Sequence, residues 1–557
     1  MPKTYKKKSK KILFLVAIQS IADVVGLAAI VPVLMLAIDG HFLEKSQKLR
    51  SVYEHFDFNT EAQFLIVLII FVFIFFTIKN WFAFWLQHYI KKTTSGIVAH
   101  CTDIKYRHFI EKEYEEIISK GTPDFINSVM NIPFHYATGM LLPFINLFSE
   151  TLVVILFAFF AFYNPMVFLV LLLCLGPAIF LINRAIKSKI VHLGEISGKL
   201  REDALKELNI GISGLTEIKV SNLGAFFIER FVEKQFSYTK NEMRSMTYQS
   251  VPSRMLELMA LLAIIILVIY GFFYCDNPSE VRILGALFVI SIFRLIPAIN
   301  RILVALMHLK IYKYTTDQLL EAANYASAAQ QNILFQDQIK IDHLYYIYPN
   351  ADFYTLTNIN LTIKKGSIVG LTGVSGSGKT TLIKVLLKLV SPSKGCIYAD
   401  NLAIDEKLTM AWQKKIGYVG QITYIFDGTI KENVCLGKSE QIDMPMLKSV
   451  LQQCGLEEFS SEKMLAYQVG ENGIKLSEGQ KQRLCLARVL YKKSEILILD
   501  ETTSALDDET ENLIGKTLQQ LAKNKVSIII IAHRKNILRY CDEIYEIKDK
   551  NLIPYNL

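Results

Sequence analysis

Gly373-Val374-Ser375-Gly376-Ser377-Gly378-Lys379-Thr380-Thr381, preceded by the short apolar run Ile368 to Leu371, decides how the chain is read. A strand running into this glycine-rich turn aims the backbone N–H groups of Gly376, Ser377, Gly378 and Lys379 at phosphate oxygens, with a helix N-terminus behind them. Lys379 is placed to pair with the β- and γ-phosphates of a nucleotide, and Thr380 to hold Mg²⁺. Further along stand Leu476 to Gln480 (LSEGQ), the apolar run ILILD closed by Asp500 and followed by Glu501, and His533 after another apolar run. Asp500 is expected to hold Mg²⁺ through water, and Glu501 to polarise the attacking water as general base.

In this order the motifs resemble those of ATP-binding cassette (ABC) transporters, which implies ATP and Mg²⁺ as cofactors. By motif position the resemblance makes Gln421, in VGQITYIF, the residue that senses Mg²⁺ beside the catalytic Glu501, and His533 the switch histidine on the γ-phosphate. Tyr348, in YYIYP, becomes the ring stacked on adenine, while Gly373, Ser375 and Thr381 complete the phosphate cradle. Ser477, Gly479 and Gln480 belong to the signature that meets the γ-phosphate held by the opposite subunit, and Ser504 to Asp507 match the loop joining the two sites. Glu478 departs from the commonest form of the signature. An anionic side chain near triphosphate is unfavourable, so Glu478 is expected to point away. Gln468, Gly470, Glu471 and Gly473 resemble the exporter X-loop, which favours export over import. One chain carries half of each composite site and no motif is degenerate, so a homodimer is expected.

The 557 residues are 52% hydrophobic, too apolar for an ordinary soluble protein of this length. The excess lies before about residue 312, in runs long enough to span a bilayer at 12–38, 63–90, 136–163, 165–184, 252–275 and 282–311. The expected fold is therefore a six-helix membrane domain over 1–312, a polar, Ala-rich linker over 313–338, and an α/β P-loop nucleotide-binding domain over 339–557. The basic N-terminus leads into an apolar run reaching Ile38, which reads as a retained anchor with its start in the cytoplasm. Inner connections rich in Lys and Arg, at about 91–133 and 184–244, are expected to continue as helices beyond the bilayer. By the resemblance they carry coupling helices near 112–123 and 209–223. Much of the excess behind the net charge of +9 sits beside the hydrophobic runs, including Lys3, Lys6, Lys7, Lys8, Lys10 and Lys11 ahead of the first, which argues against nucleic acid as a partner. None of the eight cysteines falls in a CxxC or other metal-ligand spacing.

Asp23, Lys79, Glu150, Arg254, Glu257, Arg294 and Arg301 are charges that hydrocarbon discourages, so they should face a wet cavity or a partner. Lys79, Arg254, Arg294 and Arg301 are the candidate substrate contacts, Arg294 and Arg301 sharing a helical face with Pro297 between them. FRLIPAINRI, VPSRMLE and Lys79 resemble segments of bacterial lipid-linked oligosaccharide flippases. So does the outer loop between Asp39 and Gln63, whose Phe42, Leu49, Val52, Tyr53 and Phe56 are spaced as on a surface helix. The resemblance implies a bacterial inner-membrane, multi-pass exporter, its N-terminus and nucleotide domain cytoplasmic, moving a lipid-linked oligosaccharide or similar phosphate-bearing amphipath through a basic cavity. Two alternatives stand beside it: an exporter of peptides, bacteriocins or drugs, and a membrane ATPase that regulates a channel or partner.

Overall fold

Long apolar runs give long helices in the first half of the chain. The computed structural model describes all residues except 1–2, 39–46, 57, 59, 113, 161–164, 275–277, 325–331, 350, 437–441, 503–506 and 557. The chain divides into two units, one of Met1–Lys112 and Ile117–Ala326, the other of Glu113–Glu116 and Ser327–Leu557.

The first unit is helical: α1 Lys3–Ile38, α2 Glu61–Glu111, α3 Leu142–Phe160, α4 Pro165–Ser213, α5 Gly224–Tyr274 and α6 Pro278–Ile311. At 1.5 Å per residue, α2, α4 and α5 are each about 75 Å long, more than twice the hydrocarbon thickness of a bilayer. Among the described residues five helices are long and apolar enough to cross a membrane: Thr4–Ala37, Glu61–Glu111, Pro123–Ala158, Gly224–Ile266 and Ser291–Ile311. The remaining expected span, 165–184, falls in the first part of α4, where most side chains lie outside the described residues. Phe73, Phe84 and Phe273 leave 71%, 75% and 73% of their surface exposed on these helices, as lipid rather than water permits. Inside the bundle, Ile12 and Val16 of α1 pack on Leu86 of α2, and Ile182, Leu256, Phe288 and Leu295 form a second cluster among α4, α5 and α6.

Shorter helices occur at Gln47–His55, Tyr114–Ile126 and Leu215–Val220. The first falls in the loop between α1 and α2, where Tyr53 meets Phe64 edge-on at 5.6 Å; Phe42 lies outside the described residues. The other two fall in the Lys- and Arg-rich connections, the former with a break at Gly121, whose φ is 76°. Lys313–Asn324 is also helical, and the first unit runs to Ala326, beyond the residue where the linker was expected to begin. Its buried Thr315 and Ala322 explain the ordering: this short stretch packs rather than floats.

The second unit is α/β. Strands β1 Gln338–Tyr346, β2 Leu356–Lys364, β4 Lys394–Ala399 and β5 Leu402–Ala403 form an antiparallel sheet in the order β2-β1-β4-β5. A second sheet, ordered β10-β9-β3-β8-β7-β6, contains β3 Ile368–Thr372, β6 Ile416–Val419, β7 Ile496–Asp500, β8 Ser527–Ile531, β9 Glu543–Lys548 and β10 Asn551–Pro554. Here β3, β8, β7 and β6 run parallel side by side. All residues of β7 and β8 are buried, as expected where helices cover both faces of a parallel sheet. Among the helices of this unit are α7 Lys379–Leu386, α8 Glu478–Lys492 and α9 Asp508–Lys523.

Candidate nucleotide site

Four adjacent parallel strands deliver the site. Past the carboxyl ends of β3, β8, β7 and β6 come, in spatial order, the glycine-rich turn, His533, Glu501 and Gln421. Open α/β sheets bind ligands at this edge because the loops leaving neighbouring strands converge there.

Gly373 and Gly378 hold φ of 143° and 109° in the turn. A Cβ on Gly373 would lie 2.7 Å from the Ile547 carbonyl oxygen, and one on Gly378 2.9 Å from a Leu356 methyl, so tight packing and left-handed backbone both require glycine. Gly378 caps α7. Lys379 is buried, 6% exposed, and its Nζ donates to the carbonyls of Gly373 at 2.8 Å and Val374 at 3.0 Å. Burial pulls its pKa below the ordinary lysine value, against the attraction of Glu501 and Asp500. The Ser377 hydroxyl is buried without a hydrogen-bond partner among the described residues. An unpaired buried hydroxyl is costly, and a phosphate oxygen is the acceptor this cradle is shaped to offer it. Ser375 and Thr380 are exposed and Thr381 is buried; the Thr381 hydroxyl shares a hydrogen bond of 3.0 Å with the Tyr348 hydroxyl, which ties the candidate adenine-stacking tyrosine to the first turn of α7.

Asp500 ends β7 only 3% exposed. Burial, then the neighbouring Glu501 charge, raises its pKa, while Lys379 and a hydrogen bond from Tyr418 oppose the rise. Tyr418, on β6, is itself pushed up to about 12, first by burial and then by Asp500. Divalent cation would relieve this buried negative charge, so the donor set fits Mg²⁺ with Asp500 and Thr380 as its holders.

Glu501 stands at φ 54°, unusual for a residue with a side chain, and its N–H bonds the Ile531 carbonyl at 3.0 Å. The sharp turn brings its carboxylate between two partners: Gln421 Nε2 donates to Oε2 at 2.8 Å, and His533 Nε2 lies 3.0 Å from Oε1. All three residues assigned to hydrolysis thus meet, which their separation in sequence does not reveal.

Ser477 caps α8: its hydroxyl accepts from the Gln480 N–H at 3.3 Å while the Ser477 N–H donates to Gln480 Oε1 at 2.9 Å, a reciprocal capping box. Glu478, the first residue of the helix, accepts from the Thr423 hydroxyl at 3.1 Å and pairs with Lys481 at 3.4 Å. Gly479 follows in the first turn, half-buried. Asp507 caps α9 by accepting from the Thr510 N–H at 3.1 Å; Ser504, Ala505 and Leu506 lie outside the described residues. Tyr418 and Thr423, which touch Asp500 and Glu478, were not singled out from the sequence. The nearest signal is their place beside Gln421.

The charges of the helical unit also meet. Asp23 of α1 pairs with Lys79 of α2 at 2.9 Å and with Arg294 of α6 at 3.0 Å. Glu150 of α3 pairs with Arg294 at 3.5 Å and with Arg301 at 2.7 Å. Among the described residues Arg254 stands apart from this group: it pairs with its near neighbour Glu257 at 3.4 Å, both side chains well exposed.

Residues 356–504 match the family model for ABC transporters. The chain is similar to a putative multidrug export ATP-binding/permease protein of Staphylococcus aureus, 37% identical over 227 residues, which are 40% of this chain and 39% of the relative. An ATP-dependent lipid A-core flippase of Pseudoalteromonas translucida is 38% identical over 220 residues, 39% of this chain and 37% of the relative. The chain thus spans about two fifths of the length of these curated relatives. A bacterial Atm1-family ABC exporter solved with ATP bound has a TM-score of 0.80 at 17% identity, covering 99% of this chain and 94% of that one.

The second unit is thus similar to the ABC transporter family over residues 356–504, and its donor set fits ATP with Mg²⁺. The chain as a whole takes the ABC exporter fold, a helical membrane-type domain followed by that α/β unit.

Proposed function

We propose that the chain is an ATP-driven exporter of the bacterial inner membrane that works as a homodimer, its N-terminus and nucleotide domain in the cytoplasm. Each ATP would be held between one protomer's phosphate cradle and the partner's signature segment. The observation that carries the ATPase reading is Glu501 gripped between Gln421 and His533 at the edge where the phosphate cradle also emerges. When ATP and Mg²⁺ are bound they supply the scissile phosphoanhydride and its charge neutralisation. Lys379 exchanges its two carbonyl partners for phosphate oxygens. Glu501 orients water and takes its proton, and Gln421 and His533 hold that carboxylate in place. The inner-loop helices Tyr114–Ile126 and Leu215–Val220 are the elements assigned to pass the closing movement to the membrane half.

For the cargo, the proposal is a lipid-linked oligosaccharide or similar phosphate-bearing amphipath. Lys79, Arg294 and Arg301 outnumber the carboxylates Asp23 and Glu150 that pair with them, which leaves the cluster cationic. Sugar and phosphate groups lose several kcal/mol each when they enter hydrocarbon unpaired, roughly 2–7 for a neutral polar group, so a charged groove beside the lipid is the device such a head group needs. The relative named as a lipid A-core flippase supports this reading; the relative named as a multidrug exporter supports drug export as a second.

Reconstituted vesicles separate the readings. ATP-dependent loss of a fluorescent lipid-linked oligosaccharide from one leaflet supports the flippase, and movement of a fluorescent drug but not the glycolipid supports the drug exporter. ATPase activity with no movement of either cargo favours a regulator.

A further inference from the structure

We infer that Asp23 and Glu150 are built-in counter-ions that an anionic head group has to displace, so that these two carboxylates set how tightly the membrane site holds its cargo. The inference rests on the proposed reading of the cargo as a phosphate-bearing amphipath, taken here as one whose head group is a diphosphate that meets Lys79, Arg294 and Arg301.

Each carboxylate is shared by two cations. Asp23 takes Lys79 and one arm of Arg294; Glu150 takes the other arm of Arg294 and the Nε of Arg301. Four helices, α1, α2, α3 and α6, contribute to this chain of charges. The Glu150 side chain is 10% exposed and that of Arg294 15%, whereas Arg301 is 46% exposed. Only the Nε of Arg301 is engaged among the described residues, so the forked end of its guanidinium remains available for a bidentate contact.

Cations without partners are expensive at membrane depth, and the two carboxylates make the empty site tolerable. A diphosphate carries more charge than one carboxylate and offers several acceptors, so it competes for the same donors. The 3.5 Å contact between Arg294 and Glu150 is the longest in the cluster and the first to yield. As the diphosphate settles, its charge repels Glu150 and Asp23. As it leaves, they return to their cations, which lowers the cost of release. Binding is then an exchange of anions, and removing a carboxylate favours the loaded state twice: it lifts the repulsion and leaves the empty site under-compensated.

The test uses the full chain in lipid nanodiscs, with farnesyl pyrophosphate as probe and farnesol as its uncharged control. Glu150→Gln is expected to bind farnesyl pyrophosphate about tenfold tighter, equivalent to about 1.4 kcal/mol, with farnesol unchanged and ATP-driven transport slower. Glu150→Asp, which keeps the charge, should stay near wild type. Asp23→Asn should shift affinity in the same direction and carries the test if Glu150→Gln does not fold. A matching gain for inorganic pyrophosphate assigns recognition to the diphosphate alone; a gain with farnesyl pyrophosphate only assigns it to the membrane-anchored head group, and both support the exchange. Unchanged or weaker binding in folded carboxylate variants, while wild type still prefers farnesyl pyrophosphate over farnesol, overturns the counter-ion role and spares the cargo reading. A wild type without that preference overturns both.

Discussion

His533 Nε2 lies 3.0 Å from Glu501 Oε1, which joins a residue after β8 to one after β7 and fixes the carboxylate from the side opposite Gln421. A carboxylate so held can take a proton from water without first reorienting. Glu501→Gln keeps the shape and the Gln421 neighbour but loses the base. Phosphate release should fall by roughly 10²–10⁴-fold while ATP binding, measured by equilibrium filtration, persists; turnover near wild type would remove Glu501 as the general base.

The turn before α7 has no room for a side chain at Gly378, where φ is +109° and an added Cβ would meet Leu356 at 2.9 Å and the Thr355 carbonyl at 3.3 Å. Gly378→Ala should cost about 1–3 kcal/mol of local backbone strain and weaken ATP binding together with thermal stability. Thermal unfolding with and without ATP reads both. A variant that melts and binds like wild type would show that this backbone is not needed.

Burial and Glu501 raise the Asp500 pKa above the ordinary aspartate value of 3.8. Protons and Mg²⁺ compete for that carboxylate, so its raised pKa makes Mg²⁺ affinity begin to fall at a higher pH than an exposed aspartate would allow. Titrating Mg²⁺ against ATP-bound protein as pH is lowered from neutrality should show this loss. Asp500→Asn should bind Mg²⁺ more weakly and keep only the pH dependence that the ATP phosphates themselves give. The full wild-type dependence in Asp500→Asn would assign the titration elsewhere.

Arg294 and Arg301 meet the same carboxylate, Glu150, yet lie outside the nucleotide-binding unit. Arg294→Ala with Arg301→Ala should therefore depress transport of a lipid-linked oligosaccharide in vesicles by at least tenfold, about 1.4 kcal/mol, and basal ATP hydrolysis far less. Equal losses in both would point to a structural role.

Local chemistry made the nucleotide site legible. The glycines at 373, 376 and 378, the apolar runs of β3, β7 and β8, and the residues just beyond them follow from patterns only a few residues long. The sheet order that brings Gln421, Glu501 and His533 together depends on long-range pairing of β6, β7 and β8, which short motifs and periodicity do not encode. Tyr418 illustrates the limit: it is one aromatic in a four-residue strand, and only the β6–β7 pairing reveals that it lies beside the strand that Asp500 ends. Asp23 and Glu150 stood out as charges in apolar helices, but their partners come from α2 and α6, a packing relation that hydropathy does not encode. The stretch Lys313–Asn324 lacks a sustained apolar pattern and so reads as linker, although Thr315 and Ala322 suffice to bury one side of its helix.

The most direct test of the account is disulfide trapping between two differently tagged populations in the Glu501→Gln background, one carrying Ser375→Cys and the other Gly479→Cys. If ATP closes two chains so that each nucleotide lies between one chain's cradle and the other's signature, oxidation with ATP and Mg²⁺ should yield covalent dimers pairing the two tags, and omission of nucleotide should suppress them. Absence of mixed-tag dimers at saturating ATP, with both proteins folded and binding nucleotide, would contradict it.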